Sequence, residues 1–172
     1  MPQIDVVRTY LEMRSLDVLR AAPAPAGRAC RVARLESPTA DEYRALYRAV
    51  GEAYHWRDRL AWSDARLTAY LAAPEVSLWP LTVDGTRAGY FELRDDVAAC
   101  AVEIVYFGLM APFVGQGLGK FLLTRAVEEA WRTPGVGRVW LHTCTLDDRA
   151  ALPNYLARGF VETRREAYVT EL

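Results

Sequence analysis

The sequence predicts a mixed α/β domain: an antiparallel meander joined to one parallel strand pair, with helices packed on the sheet. Three observations carry this. The alternating apolar runs 76–83 and 88–94 are separated by Asp84-Gly85, a dipeptide suited to a two-residue hairpin turn. A third apolar run ends at Met110 after the turn at Asp95-Asp96, which completes the meander. A glycine-rich turn, a run of helical spacing and a further strand at 139–145 come next. A strand–helix–strand order of that kind demands a parallel pair, because a crossover joins its two strands.

In chain order, residues 4–13 alternate loosely and read as a strand, followed by a short apolar piece at 16–19. Residues 21–27 carry Pro23 and Pro25 and read as a loop, since proline disrupts helix and sheet interiors. Residues 1–27 are therefore expected as an N-terminal extension packed on a single domain spanning 1–172. Residues 30–35 alternate as a strand. Ser37-Pro-Thr-Ala-Asp-Glu is a helix start, with a hydroxyl cap and acids in the first turn. Tyr43, Leu46, Tyr47 and Val50 then recur at helical spacing. The segment 51–62 is aromatic and charged without a period, and Ser63-Asp-Ala opens a second short helix stopped by Pro74. After the meander, a helix runs from Gly117 to about Trp131, Pro134-Gly135 breaks it, and the strand 139–145 follows. A helix over 150–158 is capped by Gly159, and 160–170 returns as the last strand.

A chain of 172 residues suits one domain and buries enough surface to need no staples. A hydrophobic share of 52% favours a packed globule over disorder. The net charge of −1 gives no basic surface, so nucleic acid is not expected as a partner. Twenty arginines accompany a single lysine, Lys120, just after the glycine turn. Cys30, Cys100 and Cys144 are odd in number and widely spaced, and His55 and His142 make no ligand pattern with them. No metal site and no disulfide framework are expected, and a cytoplasmic setting is the default. The start of the chain lacks the features of a signal peptide, and no apolar run approaches the ~18 residues of a membrane span.

The stretch 102–123 organises the rest. It is an apolar strand whose one charge is Glu103, then Gly115, Gly117 and Gly119 at alternate positions, then a helix. Glycine lets main-chain N–H groups approach a ligand closely, and at a helix N-terminus those donors favour an anion. The turn does not fit a dinucleotide fold, because the next strand ends His142-Thr-Cys-Thr with no acid. It does not fit a P-loop, because Phe121 follows Lys120 where a hydroxyl is needed. A plain tight turn is the rival reading.

A second motif, Ala151-Leu-Pro-Asn-Tyr155-Leu-Ala-Arg-Gly159-Phe160, lies one strand and one loop downstream. Together with Val-Glu-Ile-Val-Tyr-Phe-Gly-Leu…Gly-Gln-Gly-Leu-Gly it resembles the GCN5-related N-acetyltransferase (GNAT) family, from about residue 79 to residue 160. The resemblance implies the GNAT fold, in which the parallel strands splay apart, and transfer of acetyl from acetyl-CoA to a primary amine by direct attack. The acceptor would be a small molecule or a protein, and a homodimer is compatible.

The family's pyrophosphate turn, Gln/Arg-x-x-Gly-x-Gly/Ala, falls on Val114, Gly117 and Gly119, with Gly115, Gln116, Leu118 and Lys120 between and after them. Val114 departs from the pattern, which removes a side-chain contact and spares the backbone cradle. Leu109, Met110 and Ala111 would face the pantetheine arm, with the Leu109 N–H polarising the thioester carbonyl. Asp148 stands where the family often has Asn near the pantetheine, so the resemblance implies a cofactor contact there.

Glu103 matches a glutamate that serves as base in the histone-acetylating branch. Base chemistry is needed because a lysine-like amine, with a pKa near ~10.4, is an inert ammonium at neutral pH. The rival reading pairs Glu103 with an arginine such as Arg94. Glu92 on the neighbouring strand could face Glu103 and lift one carboxyl's pKa, and it is a candidate acceptor contact or alternative base. Tyr155 falls on the family's general acid, which protonates the departing thiolate; its rival reading is a packed core tyrosine. Tyr54 and Trp56 lie in the segment that shapes the acceptor pocket, as cation clamps or as plain anchors. His142 and Cys144 share one strand face, near the acceptor or packed. A CoA-binding module without turnover is the alternative function.

Overall fold

The computed structural model describes residues 3–171. Seven strands form one sheet: β1 (Gln3–Met13), β2 (Cys30–Val32), β3 (Val76–Val83), β4 (Thr86–Asp96), β5 (Ala101–Leu109), β6 (Arg138–Cys144) and β7 (Val161–Glu171). Four helices accompany them: α1 (Ala40–Gly51), α2 (Asp64–Ala72), α3 (Leu118–Trp131) and α4 (Ala151–Arg158). The strand order is β2-β3-β4-β5-β6-β1-β7, antiparallel throughout except between β5 and β6. This is the expected mixed α/β architecture.

Local signals explain most elements. Val83 pairs with Thr86, so Asp84 and Gly85 alone make the β3–β4 turn. Both have positive φ, 50° and 82°, which a two-residue turn of the I′ kind requires. Thr39 caps α1 in a capping box with Glu42, and the buried face of α1 is Tyr43, Leu46, Tyr47 and Val50, as the spacing predicts. Gly159 closes α4 at φ 109°; a Cβ there would lie 2.3 Å from the Val18 carbonyl oxygen. Nearby, the Arg20 N–H donates to the Arg158 carbonyl at 2.9 Å.

Two cores lie on opposite sheet faces. One joins α3 and α4 to the sheet, with Leu118, Leu122, Val127, Phe91, Ile104 and Leu141 at its centre. The other joins α1 and α2 to Leu78 of β3 and Tyr90 of β4.

The first strand differs from expectation. Residues 3–13 are not laid against the outside of the domain as part of an extension. They form β1, hydrogen-bonded to β6 on one side and β7 on the other. Burial favours this place: Val6, Leu11 and Met13 are fully enclosed there. The rest of the leading segment, through the 3-10 turn Leu16–Val18, does pack on α3 and α4. Among the described residues no helix is long and apolar enough to cross a membrane.

Candidate active site

The parallel pair β5–β6 is short. Only Ala101, Val102 and Glu103 pair with Arg138, Val139 and Trp140. Just beyond, Glu92 faces Tyr106 while Leu93 faces Ile104, so Val105 is an extra residue on β5. A bulge of this kind bends its strand. From there β5 and β6 diverge, and the space between them is a cavity of about 770 Å³.

One end of the cavity is the start of α3. Gly115 and Gly117 have φ of 81° and 76°, values that glycine adopts without strain. Gly117 is the N-cap, no side chain caps the helix, and its first turn holds no acid. The free N–H groups and the positive end of a 14-residue helix therefore face an anion-sized space. Val114, Gly115, Gly117, Gly119 and Lys120 line the cavity. The Leu118 side chain is fully buried in the core, leaving only its main chain for a ligand. The Gln116 side chain turns away, donating to the Pro112 carbonyl at 2.8 Å and accepting from Arg28 at 2.9 Å. Arg28, also paired with Asp84 at 2.7 Å, is thereby held beside the turn.

The middle of the cavity is formed by β5. The Met110 N–H donates to the Ala88 carbonyl at 2.8 Å, and Leu109 is opposite Gly89. Hydrogen-bonded and non-bonded pairs alternate along an antiparallel ladder, so the Leu109 N–H points away from β4 and into the gap. Gly89 permits the close approach: a Cβ there would lie 2.4 Å from the Gly108 carbonyl oxygen. Met110 and Ala111 lie beyond the cavity wall, Met110 against the α1–α2 core and Ala111 opening a 3-10 turn.

Tyr155 comes from α4 and lines the cavity. Its ring lies edge-on to Phe107 and Phe160, with centroids 6.0 and 6.2 Å away. Burial, with the nearby Asp147 charge, pushes its pKa up, so it is a neutral phenol. Its hydroxyl has no hydrogen-bond partner among the described residues. On the opposite rim, the Tyr54 hydroxyl donates to Asp148 Oδ2 at 3.1 Å, and Asp148 Oδ1 accepts from the Ala150 N–H at 2.8 Å. That bond bridges the mouth between the segment after α1 and the loop before α4. Trp56 packs against Tyr47, Tyr90 and Tyr106, in space left by Gly51, whose absent Cβ would lie 2.5 Å from the indole side chain. It is an anchor that also presents an edge to the cavity.

Neither glutamate lies on the cavity wall. Glu103 is mostly buried and ion-paired with Arg94 at 2.6 Å. Burial raises its carboxyl pKa, and Arg94 pulls the other way. The bulge sets this register: an unbroken ladder from Glu92 and Tyr106 would put Asp95 opposite Glu103, and the extra residue brings Arg94 there instead, while Glu92 faces Tyr106. Glu92 is fully buried, accepting from Tyr43 at 2.7 Å and from Tyr70, with Arg59 at 3.4 Å. It ties α1 and α2 to β4, and it is not a substrate contact. His142 and Cys144 both line the cavity, on the face of β6 shared with Arg8 and Tyr10 of β1. Among the described residues no cluster suited to a metal ion occurs.

The sequence model of the acetyltransferase (GNAT) family matches residues 40–160. The chain belongs to the GNAT family. Among solved structures, a GCN5-related N-acetyltransferase from Sphaerobacter thermophilus is 18% identical with a TM-score of 0.69, covering 95% of this chain and 50% of its own. One from Kribbella flavida is 19% identical with a TM-score of 0.63, covering 97% of this chain and 58% of its own. The ribosomal-protein-S18-alanine N-acetyltransferase of Escherichia coli is 20% identical with a TM-score of 0.61, covering 82% of this chain and 91% of its own. At such identities the likeness is one of fold. The GNAT chain described here thus spans 50% and 58% of the first two neighbours' own lengths. Curated proteins include no match to its sequence.

Several lining residues of this GNAT chain escape a reading of its sequence. Arg8 and Tyr168 reach the wall from β1 and β7, strands whose place depends on long-range pairing. Asn154 was within reach, because it precedes Tyr155 in the downstream motif and its amide nitrogen approaches Gly119. Arg28 carries no local signal of its proximity to the glycine turn.

Proposed function

We propose that the chain transfers an acetyl group from acetyl-CoA to a primary amine. The observation that supports this best is the coincidence, in one cavity, of an uncapped glycine-rich helix start at one end and a neutral, unpartnered phenol on the wall. A diphosphate suits the first, and a departing thiolate suits the second. Acetyl-CoA would supply an activated acyl group on sulfur. The amides from Gly115 to Lys120 would hold its diphosphate, with Arg28 and Lys120 adding positive charge nearby. The Leu109 N–H would polarise the acyl carbonyl, and Tyr155 would give its proton to sulfur. Most of the acceleration would come from holding amine and acyl group together. Tyr54, Trp56 and Asp148 would border the acceptor's way in.

The test couples binding to turnover. Gly115 has positive φ and open space where a Cβ would stand, a conformation that Asn and Asp tolerate better than other residues. Gly115→Asn and Gly115→Asp differ only by charge. Acetyl-CoA affinity by calorimetry should fall about 10-fold or more further in the Asp variant, as repulsion of a diphosphate at a helix start requires. Thiol release with an amine panel should accompany binding in the unaltered protein. Equal affinity in the two variants would rule out the phosphate cradle, and tight binding without turnover on any amine would favour the CoA-binding module.

A further inference from the structure

With Glu103 tied to Arg94 away from the cavity, the site needs another proton acceptor. Two of the three carboxylates on the cavity wall, Asp147 and Asp148, are already engaged. Asp147 accepts from the Thr143 hydroxyl at 2.6 Å and from the Cys144 N–H at 2.9 Å. Asp148 accepts from Tyr54 and from the Ala150 N–H. Asp58 lies at the rim, in the short 3-10 turn Asp58–Ala61 after α1, away from the point where β5 and β6 part. The Cys144 thiol is pushed up by burial and stays protonated. His142 remains. It projects from β6 where the strand has just parted from β5, and it makes no side-chain hydrogen bond to another described residue.

We propose that His142 is the catalytic base of this site, taking the proton from the acceptor's ammonium group. The proposal rests on the amine-acetylation reading above. The unprotonated ring nitrogen of His142 removes one proton, leaving an amine with a free lone pair. That lone pair forms the new C–N bond, the C–S bond breaks, and its electron pair leaves on sulfur. Tyr155 protonates the sulfur and recovers a proton from the newly acylated nitrogen. The net proton, now on His142, passes to water, so the phenol and the imidazole both end as they began.

The surroundings suit an imidazole that stays neutral. Tyr10 of β1 lies against the ring, with centroids 5.6 Å apart. Arg8 of β1 faces it as a cation, whereas Asp147 before α4 and Asp58 after α1 face it as anions. The ring edge is open to the cavity, yet the protein mass around it desolvates the imidazolium, and this, with Arg8, lowers its pKa from the ordinary 6.5 against the pull of the two carboxylates. Its neutral form is thus the major one at pH 7, and a base must start neutral.

Two probe amines of similar shape test the step. Propylamine is an ammonium at neutral pH, whereas 2,2,2-trifluoroethylamine is mostly unprotonated. His142→Gln should lower kcat/KM for propylamine about 100-fold and remove the acid limb of its pH profile. It should leave trifluoroethylamine nearly unchanged, along with the KM for acetyl-CoA. An equal loss for both amines would make His142 structural and overturn the proposal. Independently of activity, the chain has only two histidines, so imidazole C–H NMR signals are assignable with His55→Gln. His142 should titrate below about 6.5; titration above 7 would overturn the proposal even if the Gln variant failed to fold. Absence of transfer to either amine by the unaltered protein would instead overturn the acetyl-transfer reading beneath it.

Discussion

Tyr155 and Glu103 are both candidate participants by residue type and motif position, and their surroundings separate them. Tyr155 lines the cavity as a neutral phenol without a hydrogen-bond partner among the described residues, so its proton is available. Tyr155→Phe keeps the ring packing against Phe107 and Phe160 and deletes only that proton. Steady-state kinetics should show kcat lowered about 100-fold, with the acetyl-CoA KM nearly unaltered. Full activity would remove Tyr155 from the chemistry. Glu103 is committed to Arg94 on the other side of β5. Glu103→Gln should therefore keep kcat within about threefold, far from the 100-fold typical of a lost base. A large loss with an intact fold would restore Glu103 as the base. The sequence named both candidates because residue type and motif position are local facts. The choice between them needed the register of β4 on β5, which the bulge at Val105 shifts by one residue.

At the scale of elements, most of the fold was legible where the signal is local. The Asp84-Gly85 turn, the Thr39 capping box of α1 and the Gly159 stop of α4 each lie within a few residues of what they specify. The α3 start was legible for the same reason, since alternate glycines leave helix-end amides bare. Contacts between elements were not. Glu92 reads as a polar residue on an apolar strand, yet it joins Tyr43 of α1 and Tyr70 of α2, with Arg59 between the helices, in one buried network. Burial raises its carboxyl pKa despite Arg59 and the two phenols. The folded state thus holds this proton more tightly than the unfolded chain does. The stability Glu92 contributes is full below its unfolded value of about 4.5 and declines as pH rises through the higher folded value. Glu92→Gln should remove that decline. Urea unfolding of both forms at several pH values should show their difference changing above about 4.5 in favour of Gln. A difference independent of pH would mean that Glu92 titrates alike in both states.

Over the whole molecule, β1 decides how the sheet is closed. It was read correctly as a strand, but its place between β6 and β7 could not be deduced, because it pairs with residues 139–144 and 161–171. No local periodicity encodes a partner more than a hundred residues away. The consequence is mechanical as well as topological. Without β1, both β6 and β7 would present unpaired edges, and Leu11 and Met13 would leave a breach beside Val139, Leu141 and Phe160. The cavity would also lose Arg8, and β6 would lose the partner that holds His142 and Cys144 in place. An outer extension could be removed at small cost; an interior strand cannot. Removing residues 1–20 should therefore abolish cooperative urea unfolding and acetyl-CoA binding together, with calorimetry and circular dichroism as the measurements. A shortened chain that unfolds cooperatively and still binds acetyl-CoA would show that β6 and β7 close on each other, and that β1 is dispensable to the site.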